Sequence, residues 1–142
     1  MADTSGQSLR GSCLCGDVCY RTTGPVDQTS ACHCSLCRKW SGHYWASFNV
    51  DQEHLVLEKG EASLAWYPMD GTERGFCIIC GTSLFWRREN DARGHVSVSL
   101  GTVEGDTGLV LDEHIYLADR GDYYTVPNDA PHFEADSSPQ KQ

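Results

Sequence analysis

Short alternations of apolar and polar residues recur along the chain, and they are typical of β-strands. The clearest is VSVSL at residues 96–100, which puts three apolar side chains on one face of an extended segment. Helical periodicity is weak, and only residues 35–40 are typical of one or two helical turns, with Ser35 as the cap. The pattern predicts an all-β fold of many short strands with little helix. The predicted strands are residues 18–23, 44–50, 54–58, 62–67, 83–88, 96–100 and 113–117.

A length of 142 residues suits a single domain, which we place at residues 9–134. Polar residues fill both ends, so residues 1–8 and 135–142 are predicted to be flexible tails. The first eight residues lack the apolar segment of a secretion signal, and no apolar run approaches the roughly 18 residues of a membrane helix. We therefore expect a cytoplasmic protein that has no membrane partner.

The charge balance is acidic, with 20 Asp and Glu against 11 Lys and Arg and a formal net charge of −9. A negative surface is repelled by phosphate backbones, so we expect no nucleic-acid partner.

Eight cysteines are many for a chain without a secretion signal. Thiols stay reduced in the cytosol, so clustered cysteines there indicate metal ligands or redox groups. The alternative is a disulfide scaffold, but close pairs such as Cys13 and Cys15 bridge each other poorly. Cys19 stands apart in a predicted strand, which is typical of a small buried side chain rather than a ligand.

Two cysteine pairs are each followed by a glycine, in CLCG at residues 13–16 and CIIC-G at residues 77–81. The residue after such a pair often needs a left-handed backbone, which glycine adopts without strain. Four thiolates in a tetrahedron form a closed structural zinc site. We therefore predict that Cys13, Cys15, Cys77 and Cys80 bind one zinc ion.

Three further cysteines lie within six residues, at Cys32, Cys34 and Cys37. Three protein ligands leave a coordination position for a substrate, as catalytic zinc requires. Neighbours in an extended stretch point to opposite sides, so His33 is predicted to face away from this metal. The alternative is a redox dithiol at Cys34 and Cys37. Two zinc ions and seven thiolates would take the formal charge from −9 to −12.

These motifs resemble the glutathione-dependent formaldehyde-activating enzyme family, which also includes centromere protein V. The similar segments are GSCLCG at residues 11–16, CHCSLCRK at 32–39, RGFCIICGT at 74–82, HIY at 114–116 and FE at 133–134. The resemblance covers roughly residues 9–134. It implies an Mss4-like β fold and two zinc ions, with the structural and catalytic ligand sets given above.

The resemblance further implies a carbon–sulfur lyase that acts on a thiol adduct such as S-hydroxymethylglutathione, formed from glutathione and formaldehyde. Two alternatives remain open: a glutathione or thiol carrier without turnover, and an interaction module that zinc stabilises. Arg38 and Arg74 are candidates for binding substrate carboxylates. His33 and His43 lie near the open site, but the sequence identifies no general base. Trp40, Tyr44 and Trp45 are either pocket walls or core residues.

Overall fold

The computed structural model describes residues 8–91 and 94–137. Most described elements are strands, and the described part contains one α-helix, which confirms the all-β prediction. No helix in these residues has the length and apolar character that a membrane span requires. The strands are β1 (Arg10–Ser12), β2 (Cys19–Thr22), β3 (Asp27–Cys32), β4 (Trp45–Asp51), β5 (Leu55–Lys59), β6 (Leu64–Met69), β7 (Thr72–Cys77), β8 (Ser83–Arg88), β9 (His95–Ser99) and β10 (His114–Ile115), and the helix is α1 (Ser35–Ser41).

The chain divides into two compact units, each built from two stretches of sequence. The first unit holds the described residues of Met1–Asp27 and Phe48–Gly108, and the second holds those of Gln28–Ser47 and Leu109–Gln142. The placement of a single domain at residues 9–134 stays a prediction. Of the predicted tails, residues 1–7 and 138–142 lie outside the described residues. Ser8 and Ala135 are held, because the Ser8 hydroxyl donates to Thr22 and the carbonyl of Ala135 accepts from Tyr116.

The first unit contains two antiparallel arrangements of strands. In one, β2 pairs with both β1 and β5. In the other, β6, β7, β8 and β9 pair in chain order. The fully buried Tyr20 of β2 meets Phe85 of β8 edge-on, with ring centroids 5.5 Å apart. Val96 and Val98 are buried as their alternation predicted.

The second unit places a parallel strand pair beside the helix. β10 pairs with β3, so that His114 lies opposite Ala31 and Ile115 lies opposite Cys32. Its core contains two fully buried histidines, His33 and His114. The ring nitrogens of a buried histidine are polar and require hydrogen-bond partners.

Helix α1 begins at Ser35, the residue predicted to be its cap. Cys34 is the N-cap, because its sulfur accepts the backbone N–H of Cys37, and Ser35 is the first helical residue. The prediction of Ser35 as the cap was wrong: a thiol, which is a weak acceptor, takes the place that a hydroxyl usually occupies. Gly42 ends the helix with φ +88°.

Candidate metal centres

The first unit brings the two predicted cysteine pairs together. Cys13 and Cys15 follow β1, whereas Cys77 ends β7 and Cys80 lies in the next turn. Their sulfurs all lie within 4.8 Å of one another, with 3.6 Å between Cys13 and Cys15 and 3.9 Å between Cys15 and Cys77. A tetrahedron with Zn–S bonds near 2.3 Å has S–S edges of about 3.8 Å. This four-cysteine cluster (Cys13, Cys15, Cys77, Cys80) therefore fits a zinc ion.

Two similar turns present the four thiols. The N–H of Gly16 donates to Cys13 at 3.1 Å, and the N–H of Gly81 donates to Cys77 at 2.8 Å. Both glycines adopt left-handed backbones, with φ of +80° and +81°. The left-handed glycine predicted after each pair is thus confirmed, and it closes each turn around its cysteines.

Thr82 connects the two turns, which the sequence reasoning missed. Its hydroxyl lies 3.2 Å from the sulfur of Cys80 and accepts the backbone N–H of Leu14 at 2.9 Å. The hydroxyl and the backbone N–H of Thr82 lower the pKa of Cys80 to about 5. The only clue in the sequence was a hydroxyl residue directly after Cys80-Gly81.

The second unit brings together Cys32, Cys34 and Cys37, whose sulfurs lie within 4.8 Å of one another. Cys32 ends β3, Cys34 caps α1 and Cys37 is buried in its first turn. Hydrogen bonds with Cys32, followed by those with Cys37, lower the pKa of Cys34. Hydrogen bonds with Cys34 and Cys37, followed by burial, raise the pKa of Cys32. Close thiolates repel one another, and a dication between them offsets that repulsion. This three-cysteine cluster could hold a metal ion.

His33 faces away from the three sulfurs, as predicted. Its Nδ1 lies 2.5 Å from the hydroxyl of Tyr124, and its Nε2 lies 3.0 Å from Nδ1 of His114. Burial, followed by the charges of His114 and other nearby basic groups, lowers the pKa of His33 to about 4. Both ring nitrogens are thus engaged in the core rather than offered to a metal.

The two candidate arginines lie in different units. Arg38 is in α1, where its Nη2 lies 3.5 Å from the carbonyl oxygen of Asp119. Arg74 is a buried residue of β7, and its Nη1 lies 3.4 Å from the hydroxyl of Thr72. Their part in substrate binding stays a prediction.

The aromatic residues in and just after α1 separate into two groups. Trp40 and Trp45 pack edge-on with centroids 5.0 Å apart, and Trp45 is buried, as expected of core residues. Tyr44 instead contacts His33 and His43, at centroid distances of 4.8 and 4.4 Å. Tyr44 therefore belongs to the surroundings of His33.

A cavity of about 430 Å³ opens in the second unit. Tyr124 contributes to its wall, as do a cation, a carboxylate and apolar side chains. The lining residues are Leu117, Arg120, Tyr124, Thr125, Val126, His132 and Glu134. A site with both charges and an apolar wall suits a small zwitterionic ligand. The sequence did not predict this cavity, because its residues lie far along the chain from Cys32, Cys34 and Cys37, although Glu134 belongs to the FE segment of the family resemblance.

Similarity to known proteins agrees with this geometry. The chain is 25% identical over 126 residues to an uncharacterized lyase of Schizosaccharomyces pombe, which covers 89% of this chain and 90% of the relative. It is 35% identical over 85 residues to a provisionally named glutathione-dependent formaldehyde-activating enzyme of Halomonas elongata, which covers 54% of each chain.

A crystal structure of a Rhodobacter sphaeroides protein shares the fold, with a TM-score of 0.59 at 19% identity, covering 87% of this chain and 98% of that one. Residues 8–119, which include all seven cysteines of the two clusters, match the sequence profile of one enzyme family. The chain therefore belongs to the glutathione-dependent formaldehyde-activating enzyme family.

Proposed function

We propose that this chain is a zinc-dependent carbon–sulfur lyase that acts on a thiol adduct such as S-hydroxymethylglutathione. The observation that carries the proposal is the three-cysteine cluster. Three sulfurs converge there, and no fourth cysteine, histidine or carboxylate joins the group among the described residues. Three ligands are the number that a catalytic zinc site uses. Family membership and the lyase named in fission yeast support an enzyme.

Each cluster has a separate role in this proposal. The four thiols of Cys13, Cys15, Cys77 and Cys80 complete a tetrahedral shell and hold a structural zinc ion. The thiols of Cys32, Cys34 and Cys37 hold the catalytic one. When bound at three thiolates, zinc supplies a soft acceptor position that favours the thiolate form of a substrate sulfur.

The reaction itself needs one proton transfer and one bond cleavage. The hydroxyl group of the hemithioacetal loses its proton to a base, and its oxygen forms a carbonyl with carbon. The C–S bond breaks, and its electron pair leaves with sulfur as a thiolate. The products are an aldehyde, a thiolate and the protonated base, and addition of the thiolate to the aldehyde is the same sequence reversed.

Glutathione is the thiol suggested by the family and by the name of the Halomonas relative. It carries two carboxylates and one ammonium group, so its recognition requires cations and an acceptor. Arg38, which lies in the second unit with the three-cysteine cluster, is the guanidinium group that we propose for a carboxylate of glutathione, because a planar fork binds a carboxylate through a pair of hydrogen bonds. The role of Arg74 stays a prediction from the sequence. None of the eight cysteines, all of which are described, forms a disulfide. That state suits the reducing cytoplasm in which we place the protein.

Replacement of Cys34 by serine tests the catalytic assignment. Serine is a good N-cap, so Cys34→Ser keeps the capping acceptor of α1 while it removes one metal ligand. We expect one zinc ion per chain instead of two, a loss of at least 100-fold in aldehyde release from S-hydroxymethylglutathione, and a retained fold. Metal analysis, a formaldehyde assay and circular dichroism measure these three outcomes.

Cys19→Ser is the matched control, because Cys19 lies in β2 outside both clusters and its sulfur lies 3.3 Å from the carbonyl oxygen of Gly16. This variant should keep both zinc ions and full activity. Wild-type protein that binds glutathione without releasing aldehyde would be a carrier. Protein that holds two zinc ions but neither binds nor cleaves a thiol adduct would be an interaction module.

A further inference from the structure

Two contacting segments of the second unit supply opposite charges to the 430 Å³ cavity. The backbone N–H of Leu117 donates to the carbonyl oxygen of Phe133 at 3.1 Å, and that of Ala118 donates to the carbonyl oxygen of Glu134 at 3.2 Å. Arg120 follows on the first segment, and its side chain lines the cavity together with that of Glu134. The backbone contacts thus bring one cation and one carboxylate to the same space.

The guanidinium group of Arg120 is anchored within its own segment. Its Nη1 donates to the carbonyl oxygen of Leu117 at 2.8 Å. A guanidinium has five N–H donors in a planar fork, so one such bond orients the group while other donors can bind a ligand. A carboxylate is the group that this fork binds best, because two parallel hydrogen bonds form.

Arg120 and Glu134 do not form an ion pair with each other. Neither side chain is ion-paired within the part of the chain that the structure describes. Glu134 would repel a ligand that carried only negative charge, and Arg120 would repel a ligand that carried only positive charge. The two side chains together therefore favour a ligand that carries both charges a short distance apart.

The rest of the wall has room and chemistry for a small side chain. The buried Leu117 and the half-buried Val126 give an apolar surface, and Thr125 adds a hydroxyl group. The volume of about 430 Å³ lies within the range of roughly 300–1,000 Å³ that small-molecule sites occupy. The ligand that fits carries an apolar substituent beside its two charges.

We propose that this cavity binds the headgroup of an α-amino acid, with the carboxylate on Arg120 and the ammonium group on Glu134. An α-amino acid carries both charged groups on one carbon, so a single ligand satisfies both side chains. A substituent on that carbon contacts Leu117 and Val126. Free amino acids have this headgroup, and so does the γ-glutamyl end of glutathione. The inference goes beyond the proposed lyase function and does not depend on it.

Matched ligands test whether the cavity recognises both charges. L-leucine carries both, whereas 3-methylbutylamine lacks its carboxylate and 4-methylpentanoate lacks its ammonium group. S-methylglutathione presents the γ-glutamyl headgroup without a free thiol. Titrations of zinc-loaded, ¹⁵N-labelled protein should show saturable shifts of amide signals at the residues that line the cavity. Loss of either charge from leucine should weaken binding at least about 10-fold.

Glu134→Gln tests the carboxylate of the cavity. It removes the charge at nearly constant shape, and Glu134 is exposed, so the fold should persist. We expect the dissociation constant of the bound amino acid or peptide to rise at least about 10-fold. Asp122→Asn is the matched control, because Asp122 is an exposed acid of the same unit that does not line the cavity. This variant should bind as the wild type does.

Arg120→Lys tests the planar fork. Lysine keeps the positive charge but cannot form the paired hydrogen bonds of a guanidinium. The dissociation constant should therefore rise about 10-fold, while the preference for ligands with both charges remains.

The outcomes separate the two sources of the headgroup. Binding of leucine that Glu134→Gln weakens identifies free amino acids as the ligand class, and the same dependence with S-methylglutathione alone identifies the γ-glutamyl end. If neither ligand bound at millimolar concentration, or if Glu134→Gln and Asp122→Asn bound equally well, the headgroup site would be overturned. Protein that binds as expected but releases no formaldehyde from S-hydroxymethylglutathione would lose the lyase assignment and keep this site.

Discussion

At the residue scale, backbone N–H groups donate to sulfurs of the four-cysteine cluster. The backbone N–H of Val18 reaches Cys13 at 3.2 Å, and that of Ile79 reaches Cys77 at 3.4 Å. Such bonds stabilise the thiolate form that a metal requires. They depend on tight turns, and the turns depend on glycines that hold left-handed backbones.

Gly81→Ala tests the contribution of one such glycine. An added Cβ would meet nothing within 4 Å, so the cost comes from a φ of +81° rather than from a clash. We expect the free energy of unfolding to fall by about 1 kcal/mol, measured by urea denaturation of the zinc-loaded protein.

Gly101→Ala is the control for that variant, since its Cβ also meets nothing within 4 Å and its backbone lies outside the left-handed region. It should change the free energy of unfolding by less than about 0.5 kcal/mol. Equal losses in the two variants would contradict the backbone explanation.

At the element scale, the two cysteine turns are coupled through one hydroxyl. Thr82 follows the second turn, contacts the sulfur of Cys80 and accepts from Leu14 in the first turn. The low pKa of Cys80, about 5, arises mainly from this hydroxyl. A group with a lowered pKa keeps its charge, and the stability that the charge brings, until the pH falls through that value.

Thr82→Val should therefore release metal at higher pH. Loss of the hydroxyl raises the pKa of Cys80, so protons compete with zinc earlier during acidification. We expect the midpoint of zinc release to rise by about half a pH unit, followed with a zinc-sensitive dye. Thr82→Ser retains the hydroxyl and should behave as the wild type. A midpoint that is unchanged in Thr82→Val would show that the hydroxyl does not support the thiolate.

At the scale of the whole molecule, the four-cysteine cluster closes a long loop. Cys15 and Cys77 are 62 residues apart, and their sulfurs are 3.9 Å apart. In the loop-entropy description, a crosslink of this span raises the free energy of the unfolded chain by about 4 kcal/mol, because it removes conformational entropy. The three-cysteine cluster lies within six residues of sequence and closes almost no loop.

Loss of metal from the four-cysteine cluster should therefore destabilise the protein more than loss of metal from the three-cysteine cluster. Cys80→Ser should lower the melting temperature by about 10 °C, whereas Cys34→Ser should lower it by only a few degrees. Differential scanning calorimetry compares the two variants, and a strong chelator added to the wild type should reproduce at least the larger shift. If Cys34→Ser lowered the melting temperature more than Cys80→Ser, the structural and catalytic assignments would be wrong.

Much of the β-structure could be predicted from alternation, but not all of it. The strand at residues 83–88 was predicted with its observed bounds. The strand predicted at residues 96–100 begins and ends one residue earlier in the structure. β1, β3 and β7 were missed because their sequences, RGS, DQTSAC and TERGFC, are largely polar. Such strands form because neighbouring strands offer them backbone hydrogen bonds, which a single-segment pattern does not contain.

The sequence by itself determined the features that depend on near neighbours. The three close groups of cysteines, the left-handed Gly16 and Gly81, and the ring of His33 that points away from the three sulfurs follow from turn geometry and alternation over a few residues. Only the tertiary structure decided that Tyr124 and His114 are hydrogen-bonded to His33. The hydrogen-bond partners of His33 are 91 and 81 residues away, and contacts of that separation arise from chain folding rather than local spacing.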